Sequence, residues 1–174
     1  MQNIYIKNSI VIVLPVEKFS EEEYLIAKKI FEKAGKSVFV AADSNTICSG
    51  DNGLKVGTDT NFFNINEKNF AAIVLIGGKG IDIYKDNHSL HRIVNSFHKF
   101  GKVVAAICRA PVVLANAGLL TNISATCWPE NKNELIALGI DYQDKKIVKA
   151  GNIITAEGPR SAEQFAETIL NMIK

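Results

Sequence analysis

Val103-Val104-Ala105-Ala106-Ile107-Cys108-Arg109-Ala110-Pro111 is an apolar, β-type run that stops at a cysteine and passes straight into a helix start. Small residues, Ala106 and Ala110, lie two positions to either side of the cysteine. A sharp strand-to-helix turn brings those positions together and leaves no room for larger side chains, so the pattern is that of a nucleophile elbow. Such a turn presents the sulfur at the carboxyl end of a strand, above a helix N-terminus that favours the thiolate. A buried cysteine serving as a small hydrophobe at a strand end is the competing reading.

Working outward, short β-branched runs alternate with helical patterns, the signature of a mostly parallel α/β sheet. Strands are expected at 9–14, 37–41, 71–76 and 102–107. The helix after the first strand carries a start signal: Ser20 as N-cap, Glu23 three residues on, and Phe19 with Tyr24 as a hydrophobic staple. Its apolar face is Tyr24, Ala27, Ile30, Phe31 and Ala34. Residues 46–66, rich in Gly, Asp, Asn and Thr, read as a β-hairpin excursion. Leu90, Ile93, Val94 and Phe97 mark another helix, and Pro111 suits the first turn of the helix after Cys108. A short strand at 125–127, a helix at 129–138 and a hairpin pairing 146–149 with 153–156 follow. The last helix opens with a second capping-box pattern, Ser161 and Gln164. With no repeats or linkers, residues 1–174 read as one domain.

Composition narrows the function classes. The chain has 174 residues, 47% of them hydrophobic and 22% charged, as in soluble globular proteins. A formal net charge of +2 with scattered lysines argues against a nucleic-acid partner. The longest apolar runs fall short of a membrane span, and the patch at 10–14 lacks a small-residue cleavage site, so no membrane partner is expected. Cys48, Cys108 and Cys127 are odd in number and have no metal-ligand spacing. Free thiols suit a reducing compartment, and a cytoplasmic location is expected. His88, His91 and His98 cluster around one helix without acidic or cysteine companions. Neither a metal nor a cofactor is therefore expected.

Three features fall just past strand ends, where ligands bind in open parallel sheets: Glu23, the pair Gly77-Gly78, and Cys108. Gly77 and Gly78 let the backbone approach closely, so an N–H from this loop and that of Arg109 are oxyanion donors, although a tight turn alone explains one glycine. Glu23 has two readings, the capping box or a carboxylate facing the rim. To shuttle protons near neutrality it needs a raised pKa or a shared proton. Arg109, with a pKa above ~12, cannot act as a base. Either it lowers the Cys108 pKa by about 1–3 units, or it pairs with a surface carboxylate. Trp128 follows a strand end, either lining the pocket or packing half-buried.

Taken together the residues resemble the ThiJ/PfpI, or DJ-1-like, superfamily. The likeness rests on Ala-Ala-Ile-Cys-x-Ala-Pro at 105–111, Gly77-Gly78, Phe-x-x-Glu-Glu at 19–23 and Gly-Asn-x-Ile-Thr-x-x-Gly-Pro at 151–159. It implies a flavodoxin-like three-layer α/β sandwich with a mostly parallel sheet, assembled as a homodimer. It also implies Cys108 as the reactive cysteine, Glu23 as the carboxylate bonded to its sulfur, and Gly78 and Arg109 as backbone donors. Gly77, Asp82, Trp128 and Pro159 are accessory positions. PfpI-type peptidases carry histidine after the cysteine, where this chain has Arg109, and an acid from a neighbouring subunit, which falls on Asp82. The DJ-1 branch often has a histidine where Trp128 stands. The activity expected is cysteine-dependent chemistry on small reactive carbonyls, glyoxalase- or deglycase-like. A PfpI-type peptidase or amidase and an oxidative-stress sensor or chaperone are the alternatives.

Overall fold

A computed structural model describes residues 8–173. The remaining ends of the single-domain reading, residues 1–7 and 174, lie outside the described residues. In chain order the strands are β1 Ser9–Val13, β2 Glu17–Phe19, β3 Ser37–Ala42, β4 Ile47–Gly50, β5 Lys55–Gly57, β6 Thr60–Asn61, β7 Ala72–Leu75, β8 Val103–Ile107, β9 Ser124–Ala125, β10 Asp141–Tyr142, β11 Ile147–Ala150 and β12 Ile153–Ala156. The α-helices are α1 Glu21–Lys33, α2 His88–Lys99, α3 Pro111–Asn116, α4 Lys132–Ala137 and α5 Ala162–Met172.

Seven strands form the central sheet in the order β11-β12-β8-β7-β1-β3-β6. All neighbours pair in parallel except β11 with β12, the expected hairpin. Side chains alternate between the two faces, and because both faces are covered β7 and β8 are apolar at every position and β1 at all but Ser9. Val11, Val13, Ile73, Leu75, Val104 and Ala106 pack in one core with Leu90, Val94 and Phe97 of α2 and with α3. Ile10, Ile12, Val74, Ala105 and Ile107 pack in a second core with Tyr24, Ala27 and Phe31 of α1 and with Phe165 and Ile169 of α5. The result is a three-layer α/β sandwich of flavodoxin-like form.

The chain adds β3 to one side of β1 and then crosses to place β7 and β8 on the other. The order therefore reverses at β1/β7, the place where parallel sheets open a crevice at their carboxyl ends. The excursion at 46–66 does contain a hairpin, β4 with β5. It ends by returning β6 to the sheet edge beside β3, a parallel pairing that local pattern does not reveal. The expected helix at 129–138 divides into a 3-10 turn, Pro129–Asn131, and the short α4.

Neither capping box forms. Phe19 and Tyr24 do pack edge to face, centroids 5.6 Å apart, as a staple requires. Yet the Ser20 N–H, the target of a reach-back by Glu23, donates instead to the Gly77 carbonyl at 3.0 Å. Before α5 a 3-10 turn, Pro159–Ser161, precedes the helix, and the Ser161 hydroxyl is buried without a partner among the described residues.

Candidate active site

Cys108 directly follows β8, and its φ of 63° lies in the left-handed region that costs a side-chain-bearing residue energy. Two hydrogen bonds hold it there. Its N–H donates to the Ala156 carbonyl of β12 at 2.9 Å, and its own carbonyl accepts the Trp128 N–H at 2.8 Å. Ala106 and Ala110 on either side are fully buried, as a tight bend demands. The elbow is thus held by a neighbouring strand and by the loop before α4 rather than by the cysteine's own preferences. The helix behind it, α3, is six residues long and starts only at Pro111, so its dipole contributes little.

Opposite the cysteine stands the loop after β7. A Cβ on Gly77 would lie 2.5 Å from Cys108 Cβ and 2.9 Å from Glu23 Oε2, so only a glycine lets the two side chains meet over this backbone. Gly78 has φ +100°, and its Cβ would strike the Lys18 carbonyl at 2.3 Å. The glycines are therefore needed for different reasons, close approach at Gly77 and both close approach and conformation at Gly78.

Glu23 is fully buried. Its Oε2 accepts the Gly77 N–H at 2.9 Å, so the start of α1 brackets the Gly77 peptide from both sides, Ser20 on its carbonyl and Glu23 on its N–H. Oε1 is buried and has no partner at hydrogen-bond distance among the described residues. Burial pushes the carboxyl pKa up to about 7, against the pull of the Gly77 N–H, the Cys108 thiol and the Ser20 hydroxyl. The raised pKa that proton transfer requires is present.

Cys108 is only 7% exposed, less open than an elbow sulfur is expected to be. Burial first, and then the charge of Glu23, push the thiol up, while the N–H groups of Gly78 and Arg109 pull it down. This corrects the expectation that the Arg109 guanidinium lowers the thiol pKa. That side chain turns away to Glu130, at 2.6 Å, and Asp82, at 3.7 Å. Arg109 reaches the sulfur through its backbone alone. Asp82 is tied to Arg109 and to Lys85, at 3.4 Å, within the same chain.

The cysteine and the carboxylate open onto a cleft of about 610 Å³. Trp128 and Pro159 line it, as do the unforeseen Lys18, Asp51, Lys79 and Glu130. Trp128 does both things foreseen for it, lining the cleft while packing on the α1/α5 core. Gly158 makes this possible, since a Cβ there would sit 2.8 Å from the indole. None of the three histidines lines the cleft. No cluster of metal-ligating side chains occurs among the described residues, and no described helix is long and apolar enough to cross a membrane.

The sequence matches the DJ-1/PfpI family over residues 8–172. The chain belongs to the DJ-1/PfpI family. Among DJ-1/PfpI relatives it is similar to Protein dj-1beta of Drosophila melanogaster, 34% identical over 92% of this chain and 86% of that one. It is also similar to a protein named Deglycase PYRAB04690 from Pyrococcus abyssi, 27% identical over 94% of this chain and 99% of the relative. A ThiJ/PfpI domain protein from Brachyspira murdochii has a crystal structure that superposes with a TM-score of 0.93 at 30% identity, covering 97% of both chains.

Proposed function

We propose that this protein is a cysteine-dependent enzyme acting on small reactive carbonyls in the manner of a glyoxalase or deglycase, with Cys108 as nucleophile and Glu23 as proton shuttle. One observation carries the reading. Beside the sulfur lies a buried carboxyl with a pKa of about 7, one oxygen of which is held by the Gly77 N–H. A group of that pKa exchanges protons in both directions near neutrality. Similarity to a protein named as a deglycase supports the same chemistry.

For a 2-oxoaldehyde the steps balance without an external oxidant. Glu23 accepts the thiol proton as the sulfur attacks the aldehyde carbon. A C–S bond forms, the C=O π pair moves to oxygen, and that oxygen takes the proton from Glu23. The Gly78 and Arg109 N–H groups offset negative charge as the thiol ionises. Glu23 then takes the C1 proton and gives it to the C2 oxygen, forming an enediol. It next passes the C1 hydroxyl proton to C2, so that C1 is oxidised to a thioester carbonyl and the ketone is reduced to an alcohol. Water cleaves the thioester, releasing a 2-hydroxy acid and the thiol. A peptidase reading is less supported, because the residue after the cysteine is a permanently charged arginine engaged by Glu130 and Asp82.

Incubation of the wild type and Cys108→Ala with methylglyoxal tests the proposal. Consumption by the wild type alone is expected. Equal, negligible loss from both proteins overturns it.

A further inference from the structure

The cleft around Cys108 is much larger than a three-carbon dicarbonyl, and its charged lining is uneven. Six charged residues line it: Lys18, Glu23, Asp51, Lys79, Arg109 and Glu130. Arg109 and Glu130 neutralise each other. Asp51 accepts the Glu21 N–H and the Asn52 amide. Lys18 and Lys79 are exposed and have no ion-pair or hydrogen-bond partner among the described residues. With Glu23 ionised, as its acceptance of the thiol proton requires, the lining sums to zero, and Lys18 and Lys79 are its two cations without a partner among the described residues.

Lys18 also stands out by its backbone. Its φ of 55° makes it one of three non-glycine residues at positive φ among those described, and it shares the cleft with another, Cys108. Lysine has no intrinsic preference for that conformation, and such outliers gather where a site requires them. The Lys18 carbonyl sits against Gly78, the residue whose N–H reaches the sulfur, and Lys79 follows Gly78 directly. Both ammonium groups thus rise from backbone bordering the donor loop.

We infer that the substrate carries a carboxylate remote from its reacting carbonyl, held by Lys18 and Lys79 while Cys108 attacks the carbonyl carbon. This rests on the carbonyl reading of the site and names its substrate class. Each of the carboxylate's two oxygens can accept from one of the two ammonium groups. The cleft's volume leaves room for the chain that separates carboxylate from carbonyl. Binding energy from such a non-reacting group positions the carbonyl at the sulfur.

Two measurements separate this inference from the reading beneath it. The first compares 4,5-dioxopentanoate, a 2-oxoaldehyde with a tethered carboxylate, with its methyl ester. The wild type is expected to favour the acid by about tenfold in kcat/KM, mainly through KM, at low ionic strength. Lys18→Gly, which suits the positive φ, and Lys79→Gln each lower that ratio, and the double variant brings it near one. The second compares alkylation of Cys108 by iodoacetate and by iodoacetamide, read by mass spectrometry against free glutathione. The wild type is expected to shift the ratio toward iodoacetate by about tenfold, less in high salt, and the double variant to return it to the glutathione value. A wild-type ratio equal to that of glutathione, or Cys108 inert to both reagents, overturns the inference. A shifted ratio without turnover of either dioxo compound overturns the carbonyl reading and leaves the anion-selecting cleft standing.

Discussion

Replacing Glu23 with glutamine should remove a pH-dependent penalty that the wild type carries. Glu23 is fully buried, and its pKa rises from 4.5 to about 7 on folding, chiefly because burial disfavours the charged form. Between those values the native state holds one proton more than the unfolded chain, so stability falls as pH rises. The contribution is fully present below pH 4.5 and lost as pH climbs through about 7. At ~1.4 kcal/mol per pH unit the whole loss is about 3 kcal/mol. Glutamine can still accept the Gly77 N–H, and any cost of burying its amide is constant across this range. Urea denaturation of both proteins from pH 4 to pH 8 gives the comparison, and other carboxylates cancel in the difference. The stability of Glu23→Gln relative to wild type should grow by about 3 kcal/mol across the series, or roughly 10 °C in Tm for a domain of this size. Parallel curves would refute the account, because Glu23 would then titrate alike in the folded and unfolded states.

The same substitution removes the charge that raises the Cys108 thiol, so the iodoacetamide pH profile of Cys108 should move to lower pH in Glu23→Gln. An unchanged profile would separate the two groups. Arg109→Gln should leave that profile in place, since the guanidinium is engaged with Glu130 and Asp82. With Glu130 69% exposed, the stability cost in urea should stay below about 1 kcal/mol. Gly78→Ala, at φ +100° and 2.3 Å from the Lys18 carbonyl, should cost roughly 3 kcal/mol. Gly151→Ala, at φ +59° with open space around it, should cost about 1 kcal/mol in parallel thermal melts.

How much of this site could be read along the chain depends on whether a signal is local. The Cys108 bend was legible because its requirements, apolar strand residues before it and small residues around it, all lie within a few positions. Gly77-Gly78 was legible for the same reason. Glu23 was named through the family resemblance, while its local pattern favoured a capping box. Only the fold decided between the two readings, by placing Gly77 where it takes the Ser20 N–H and offers its own to the carboxylate. The direction of the Arg109 side chain depended on Glu130 and Asp82, which come from other loops. Lys18 carried no sequence signal, because a lysine at positive φ looks like any other lysine until its dihedral is seen.

Taken alone, the sequence determined the alternating α/β architecture, the main strands and helices, and the place of the bend at Cys108. Periodicity and turn chemistry are properties of neighbouring residues, and they survive without coordinates. Tertiary structure alone decided that Cys108 is nearly buried, that Glu23 is a carboxyl of pKa about 7, and that two unpaired lysines border the cleft. Burial and electrostatics sum over every group nearby in space, and residues 23, 77 and 108 become neighbours only when the sheet assembles.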